Sequence, residues 1–367
     1  MQKTQSPSRS AALIVGVLLL SLLGASVPAA GQGAAVAPQA NKRIYLYQGR
    51  DRDQYLLENA RREGRVVLYT SMNTKDSEPL VKEFEKKYGI KVTLWRDHNE
   101  KVMERALTEA QAGKFLVDVI ETQGNEMERL SRAQVFEQFY SPHFRDIPPQ
   151  AFSKNGYYVA DRINFFVVAY NTKLVKESDV PNTYEDLLDP KWTGKITIES
   201  SDVDWFASVA KAMCEQYGIA YFRKLAEGKP QMRAGHTEIG DLIAKGEIPI
   251  AITAYNHSIE RLSSKGAPIR WKALSPTFGR PAGIGAAKRA PHPHATMLFT
   301  DFILSRQGQQ IIKDRSRVPS STAIDTQLNK FPYEMIDPVV VLDESAKWEK
   351  LWSEIFLKGK AIEKRSE

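Results

Sequence analysis

The sequence contains a single cysteine, Cys214, among its 367 residues. One cysteine cannot form a disulfide within the chain, so a disulfide-stapled fold is excluded whatever the redox state of the compartment. No cysteine stands near residue 30, where a lipid-anchored exported protein would carry one. Cys214 lies in a segment with the apolar spacing of a helix, and we expect it to be a small core residue.

Long hydrophobic runs are missing after residue 23, whereas a bilayer-spanning helix needs ~20 apolar residues. The one apolar run, residues 11–25, follows the basic Lys3 and Arg9 and precedes small residues. This order is typical of a secretory signal peptide, and the run is short for the alternative, a membrane anchor. We therefore expect residues 1–31 to be removed and the mature protein to be soluble outside the cytoplasm.

The motifs of common enzyme classes are absent as well. The sequence has no G-x-S-x-G, C-x-x-C, H-E-x-x-H or P-loop motif, and the glycines at 283 and 285 are too few for a dinucleotide fingerprint. One enzyme alternative remains, a secreted hydrolase that uses Asp202 and Asp204 as an acid/base pair. No nucleophile motif accompanies this pair, so we expect the protein not to be an enzyme.

An excess of charge of one sign is also lacking. The net charge is +7, and the basic residues are dispersed along the chain. The short basic cluster at 315–317 has no interleaved aromatic residues. We therefore expect no nucleic-acid binding.

What the sequence does contain is a regular alternation of strand-like and helix-like segments. The order strand, helix, strand, helix, strand over residues 65–122 indicates a parallel sheet covered by helices. A second round of the same alternation spans 164–255, including one helix predicted over 202–218. A chain of 367 residues with 42% hydrophobic content is long for one core, so about two α/β domains are expected. An amphipathic helix that carries Trp348 and Trp352 ends the pattern.

Several of these segments resemble a known family. They read "VVLYTSMNTKDSEPLVKEFEKKYGIKV", "KFLVDVIET", "FFVVAYNTKLV", "DLLDPKWTGKITI" and "DLIAKGEIPIAITAYNH". The run D-P-K-W-x-G-K-I is the most specific of them. On these motifs the chain resembles the type II periplasmic solute-binding proteins of ABC importers, in the branch that contains the ferric-ion binders.

The resemblance implies an α/β fold of the periplasmic-binding-protein type II class. Two lobes would be joined by hinge crossovers, near 161–166 outward and 279–286 on the return, with the ligand cleft between the lobes, which close by hinge motion. The expected division is a signal peptide over 1–31, a flexible N-terminus over 32–50, lobe one over 51–163 plus 284–367, and lobe two over 164–283.

The resemblance also implies the function of a periplasmic substrate-binding protein. Such a protein captures a small solute, here a metal ion or a small cationic or polar organic molecule, and delivers it to a cognate ABC permease in the inner membrane. We expect a monomer with no cofactor other than a bound metal ion. An iron(III)-binding protein with an altered ligand set is the alternative.

Polar side chains follow the predicted strands at their carboxyl ends, where loops line the crevice of an open sheet. Short hydrogen-bonding side chains at these positions suit the rim of a ligand site, here called a ligand lip, although turn and N-cap roles would also explain them. Arg162, beside the outward hinge, could clamp a carboxylate or phosphate, or brace the hinge through a salt bridge. The candidate ligand-binding residues are Ser71, Asn73, Thr122, Gln123, Arg162, Ser201, Asp202, Asp204, Tyr255 and Asn256.

Ferric binders of the resembled branch typically hold iron with two adjacent tyrosines, a histidine and a carboxylate, plus a bound anion. Here the tyrosine pair falls on "AYNH", so Tyr255 is the one phenolate, and Asn73 stands where the histidine would. The anion loop reads "SSDVDW", and Asp202 and Asp204 would repel an anion. The candidate metal ligands are therefore Tyr255, His257 and Asp204.

The two acids allow three interpretations. Asp202 and Asp204 could complete an altered metal site, pair with a cationic organic ligand, or cap the helix that begins near residue 205. Trp205 and Tyr255 would offer an aromatic lid to an amine. Elsewhere, the H-x-H spacing of His292 and His294 invites a metal site, but we expect a turn at the start of a helix, because no further ligand cluster lies nearby.

Overall fold

The computed structural model describes residues 38–358, with side chains from residue 41 onward. The predicted signal peptide, residues 1–31, lies outside the described residues. Over 38–358, no helix combines the length and the apolar character that crossing a membrane requires.

Strands and helices alternate along most of the chain. The strands are β1 (Arg65–Thr70), β2 (Lys91–Arg96), β3 (Val119–Gln123), β4 (Phe136–Glu137), β5 (Val159–Asn171), β6 (Ile196–Glu199), β7 (Gln231–Arg233), β8 (Ile250–Tyr255), β9 (Ile269–Lys272), β10 (Phe278–Ala287), β11 (Val318–Pro319) and β12 (Glu334–Met335). The helices are α1 (Pro38–Tyr45), α2 (Arg52–Glu63), α3 (Thr74–Tyr88), α4 (Asn99–Gln111), α5 (Gly124–Arg132), α6 (Val203–Ala212), α7 (Glu215–Glu227), α8 (His236–Lys245), α9 (Asn256–Ser263), α10 (Pro293–Leu304), α11 (Arg306–Asp314), α12 (Pro338–Asp343) and α13 (Ser345–Phe356).

Local sequence signals explain where these elements begin and end. Helix α3 starts after Asn73, whose side chain accepts a hydrogen bond from the backbone N–H of Lys75. It ends at Gly89, which has φ +73°, a left-handed conformation that glycine adopts without steric cost. Strand β8 is buried along its whole length, as expected for a central strand of a sheet that is covered on both faces.

Two sheets share the long strand β5. In the first, β1 lies between β2 and β3 in parallel pairing, and β3 pairs antiparallel with β10, which pairs antiparallel with β5. In the second, β5 pairs antiparallel with β8 and β9, and β6 pairs parallel with β8 and β7. The carboxyl ends of the parallel strands in both sheets therefore carry the loops that can line a site.

Each sheet has its own hydrophobic core. The first core includes Phe84, Met127 and Phe299, and its members come from residues 45–160 and 284–312. The second includes Trp205 and Phe222, and most of its members come from residues 166–278. This arrangement confirms the two rounds of α/β alternation, because each round buries its apolar faces around its own sheet.

The chain between 38 and 45 is a helix, so the predicted flexible N-terminus over 32–50 is wrong for this part. The hydroxyl of Tyr45 donates to the carbonyl of Ala287 at 2.8 Å, and the Asn41 amide donates to the carbonyl of Ala290 at 3.0 Å. Tyr45 is fully buried in the first core. The prediction rested on the Gly, Ala and Pro residues around the start of this segment and did not consider the side chains of Asn41 and Tyr45, which anchor it.

Cys214 is not the core residue that the helical spacing predicted. It is exposed, has φ +60°, and separates α6 from α7 where a single helix was predicted over 202–218. The break lets α7 fold back on α6, and the backbone of Ala210 lies so close to Gly218 that a Cβ there would clash at 2.4 Å. Periodicity alone cannot reveal such a break, because both helices keep their apolar spacing.

The C-terminal helix α13 packs on the second core. Trp348 and Trp352 are fully buried there, and two ion pairs tie the helix to its neighbours, Lys211 with Glu344 at 2.7 Å and Lys347 with Glu215 at 2.6 Å. The predicted division assigned this helix to lobe one together with the rest of 284–367. In the structure the helix contacts α6 and α7 instead.

Candidate functional site

A polar cleft of about 460 Å³ lies where the carboxyl ends of β2 and β3 face the start of α6. The first sheet contributes His98, Asn99, Gln123, Asn125 and Glu126, and the second contributes Ser201, Val203 and Asp204. Arg280 of β10 lines the cleft, and Val341, Leu342, Ser345 and Trp348 of the C-terminal helices also border it. Because the lining comes from both sheets, a solute held here would contact both halves of the fold.

Arg280 lines this cleft and is held by a cluster of buried side chains. Its Nε donates to Asp204 Oδ2 at 2.6 Å, and its Nη2 donates to Asp202 Oδ1 at 2.9 Å and to the second oxygen of Asp204. Its Nη1 donates to the hydroxyl of Tyr255. The guanidinium carbon lies 4.6 Å from the ring centroid of Phe166. The guanidinium is thus held by two carboxylates, a phenol and an aromatic face.

The electrostatics of this cluster follow from burial and pairing. Burial disfavours the charged form of Arg280, yet the carboxylates of Asp204 and Asp202 and the oxygen of Tyr255 raise its pKa well above the ordinary value. Burial likewise opposes ionisation of Asp202, but His236 and Arg280 hold the pKa of this carboxyl below its usual range. Both acids therefore serve as counter-ions to a side chain of the protein itself.

A histidine stack stands beside the cluster. The ring of Tyr255 stacks on His236 with centroids 3.8 Å apart and on His257 with centroids 5.4 Å apart. His236 Nε2 lies 3.3 Å from Asp202 Oδ1. Glu199, Asp202 and His236 bring ligand atoms within 4.8 Å of one another and could hold a metal ion. The Glu199 oxygens, however, already accept hydrogen bonds from Ser201 and from a backbone N–H.

His257 is engaged on the other side of the stack. Its Nε2 contacts Arg317 Nη1, and Arg317 also pairs with Asp76 Oδ2 of α3 at 2.7 Å. Because a guanidinium only donates, Nε2 of His257 must accept, so the imidazole is neutral in this contact. Burial and the charge of Arg317 lower the pKa of His257 well below its ordinary value. His257 therefore does not offer Nε2 to a metal ion in this arrangement.

His257 makes the stability of the protein depend on pH. Its folded-state pKa lies below the unfolded value near 6.5, so the unfolded chain binds the extra proton and stability is lost as pH falls below about 6.5. The slope from this one group is at most about 1.4 kcal/mol per pH unit. We expect His257→Asn to show a shallower loss of unfolding free energy than the wild type between pH 7 and pH 5, measured by urea denaturation. Near pH 8 the difference in unfolding free energy between the two proteins should no longer change with pH. Equal slopes of unfolding free energy against pH below pH 6.5 would contradict the assignment.

The predicted ligand residues fall into separate groups in the structure. Gln123, Ser201 and Asp204 line the cleft. Asp202 and Tyr255 are buried behind Arg280 and contact it. Asp202 occupies the N-cap position of α6 without a capping hydrogen bond, whereas Asp204 accepts a hydrogen bond through Oδ1 from the backbone N–H of Trp205 at 2.9 Å in the first turn of that helix.

Arg162 is buried in the hinge strand β5. Its Nη1 contacts Glu121 and lies 3.2 Å from Asp161, and Glu121 also accepts a hydrogen bond from Thr70. Burial raises the pKa of Asp161, and Arg162 opposes this shift. These ion pairs are the contacts expected of the hinge brace that the sequence left open as the alternative to an anion clamp.

The remaining predicted residues lie away from the cleft lining. The Asn256 amide donates to the carbonyl of Leu328 at 2.6 Å. Thr122 is fully buried, and within residues 41–358 neither its hydroxyl nor that of Ser71 has a hydrogen-bond partner. Asn73 caps α3. Trp205 belongs to the second core and forms no lid, whereas Tyr255 does meet a cation, the guanidinium of Arg280.

The N-cap role of Asn73 predicts a modest effect on stability. Asn73→Ala should lower the free energy of unfolding by about 1 kcal/mol, because the Lys75 N–H loses its acceptor, and Asn73→Asp should retain the wild-type value. Urea denaturation of the three proteins measures this. A loss of solute binding in the alanine variant without a loss of stability would favour the ligand-lip interpretation instead.

Sequence reasoning missed Arg280, His98, Asn99, Glu126 and His236. A signal for Arg280 was present, since it is the one charged residue in "FGRPAGIGAA", a strand of otherwise small and apolar residues. Burial raises the pKa of Glu126, and a hydrogen bond from Asn99 at 2.9 Å partly offsets the shift. His98, Asn99 and His236 stand at the starts of α4 and α8, and the sequence does not specify how these helix starts are oriented.

The pair His292 and His294 forms a helix start, as expected. His292 precedes α10 and contacts Asp118 through Nδ1 at 2.8 Å, and His294 contacts Glu63 through Nδ1 at 2.6 Å. Each ring is oriented by a separate carboxylate: His292 attaches the start of α10 to the residue before β3, and His294 attaches it to the end of α2.

The family follows from a match over more than half of the chain. A sequence model of the family described as "Bacterial extracellular solute-binding protein" matches residues 116–345. The chain belongs to this family. The predicted membership among solute-binding proteins is thereby confirmed.

Individual relatives agree with this. The chain is 24% identical over 302 residues to "Iron uptake protein A1" of Synechocystis sp., covering 76% of this chain and 82% of that protein. Iron-bound HitA from Pseudomonas aeruginosa has a TM-score of 0.69 at 20% identity, covering 79% of this chain and 99% of HitA. AfuA from Actinobacillus pleuropneumoniae, a periplasmic binding protein with fructose-6-phosphate bound, has a TM-score of 0.68 at 23% identity, covering 80% and 99%. The predicted two-lobe periplasmic-binding-protein fold is confirmed by these structures.

Proposed function

We propose that this solute-binding protein is the periplasmic substrate-binding component of an ABC importer and captures one small polar organic solute in the cleft. The observation that carries the proposal is the cleft lining. Neutral hydrogen-bonding side chains from the first sheet, Asn99, Gln123 and Asn125, face Ser201 at the start of α6 across about 460 Å³. A volume in this range suits a small organic ligand.

An organic solute is favoured over a metal ion because the oxygens predicted to bind metal are already engaged. Asp204 and Tyr255 contact Arg280, and His257 contacts Arg317. Hydrolysis by Asp202 and Asp204 is disfavoured for the same reason, since both acids hold one guanidinium. The protein would then act by binding alone and pass its solute to a permease in the inner membrane.

The lobes would divide at the two strands that connect the sheets. Strand β5 pairs with β10 through residues 159–165 and with β8 and β9 through residues 166–171. A rotation about these strands would open and close the cleft. The proposal also includes export of the protein with removal of about 30 N-terminal residues. The mature protein would be a monomer.

A thermal-shift screen of the mature protein tests the binding half of the proposal. The panel contains neutral sugars and polyols, sugar phosphates, amines, amino acids and metal ions. A solute present at 100 times its Kd should stabilise the fold by about 2.7 kcal/mol and raise Tm by about 5 °C.

Gln123→Ala should reduce the affinity for the hit, while Gln54→Ala, an exposed amide on α2, serves as the matched control. Small-angle scattering should record a decrease in the radius of gyration on addition of the hit. A screen without any hit, or a hit whose affinity is equal in both variants, would contradict binding in this cleft.

A further inference from the structure

Arg280 occupies a position where a free cation would otherwise bind. Carboxylate and phenol oxygens of Asp202, Asp204 and Tyr255 converge on its guanidinium, with Nε–Oδ2 and Nη2–Oδ1 distances of 2.6 Å to Asp204 and 2.9 Å to Asp202. Hard oxygen donors of this kind are those that metal ions and ammonium groups seek. Here the protein supplies the cation itself.

The guanidinium is fixed in place by the hinge. Arg280 pairs with Asn164 across β10 and β5, its guanidinium lies over the Phe166 ring, and 15% of its side chain is exposed. A tethered group meets its partners at a high effective concentration, so a dissolved cation competes poorly for the same oxygens. Displacing Arg280 would also leave a buried guanidinium without its counter-ions.

The surface that remains for a solute combines uncharged hydrogen-bonding groups with charged side chains. Amides and a hydroxyl from Asn99, Gln123, Asn125 and Ser201 line it, and Asp204 is paired with Arg280. The other charged side chains of the lining are the acids Glu100, Glu104, Glu126 and Glu349 and the bases Lys101 and Arg129, and Lys101 pairs with Glu104 at 2.8 Å. Groups that both donate and accept hydrogen bonds match a solute with the same capacity, which hydroxyl groups have.

We propose that Arg280 is the specificity-determining residue of this cleft: it acts as a built-in cation that keeps metal ions and amines from the oxygens of Asp202, Asp204 and Tyr255, so that the uncharged hydrogen-bonding side chains bind a hydroxyl-bearing organic solute. This proposal rests on the proposed function, because it names the class of solute that the same cleft captures. It also predicts that a cation site lies latent beneath Arg280 and becomes accessible when the guanidinium is removed.

The test compares the wild type with Arg280→Ala and with Arg280→Ala combined with Asp204→Asn. The cation probes are methylguanidinium, putrescine and Mn²⁺, and the solute probes are neutral monosaccharides and polyols, with sugar phosphates as the charged comparison. Methylguanidinium should raise the Tm of Arg280→Ala by about 5 °C at 100 times its Kd, leave the wild type unchanged, and lose its effect in the double variant.

In the wild type, a neutral hydroxylated probe should stabilise the fold and the cation probes should not. If Arg280→Ala does not fold alone, its refolding in the presence of methylguanidinium gives the same support, and a failure to fold in both conditions counts against the latent site. Stabilisation of the wild type by Mn²⁺ or putrescine that Asp204→Asn abolishes would overturn the proposal, as would a hit list restricted to charged solutes. Absence of any solute hit would overturn the proposed function. The methylguanidinium result tests the role of Arg280 separately, because it does not depend on which solute the wild type binds.

Discussion

Replacing Arg162 with methionine is expected to lower the free energy of unfolding by about 3–5 kcal/mol, the cost of leaving buried charges without their partner. The side chains of Arg162, Glu121 and Asp161 are 3%, 4% and 0% exposed, so water cannot take the place of the lost guanidinium. Urea denaturation at neutral pH measures the change, and the Tm should fall by about 6 °C or more.

The control for this variant is Arg145→Met, because the side chain of Arg145 is 80% exposed and its loss should change stability by at most about 0.5 kcal/mol. Adding Glu121→Gln to Arg162→Met should recover part of the lost stability, since it removes one of the unpaired charges. Equal stability of the two methionine variants would show that the buried pair does not brace the hinge. Lost solute affinity with unchanged stability would instead support an anion clamp at Arg162.

Trp352→Ala is the second substitution with a large expected effect, about 3–5 kcal/mol of unfolding free energy. Trp352 is fully buried, its ring centroid lies 5.4 Å from that of Phe206 and 4.8 Å from that of Phe356, and its Nε1 donates to the carbonyl of Ser200 at 2.9 Å. Truncation creates a cavity in the second core and leaves this carbonyl without its donor.

The same substitution should weaken solute binding, because Ser200 precedes the cleft residue Ser201 in the loop after β6. Lys350→Ala on the same helix is the control, since the Lys350 side chain is 77% exposed. Urea denaturation and the thermal shift with the best solute measure the two effects. If Trp352→Ala unfolds like the lysine control, the C-terminal helix is not an integral part of the second core.

Much of the fold was determined by the sequence alone. The alternating strand and helix segments predicted two α/β units, and D-P-K-W-x-G-K-I with its neighbouring motifs identified the family. These features are local: apolar periodicity, caps such as Asn73 and stops such as Gly89 act within a few residues. Polar residues after the strands also marked Gln123, Ser201 and Asp204 as lining candidates, since loops at strand ends share one edge of a sheet.

The tertiary structure decided what those polar residues contact. Arg280 follows Asp202 by 78 positions and Tyr255 by 25, and pairing of β10 with the hinge strand brings its guanidinium between them. The sequence left the two acids open to a metal ion, a cationic ligand or a helix-capping role, and it did not identify a cation supplied by the protein itself. Burial of two carboxylates is unfavourable without a cation, so a partner was required, but which distant side chain supplies it depends on strand register and on the direction of each side chain. Those are properties of the assembled sheets, and no local pattern encodes them.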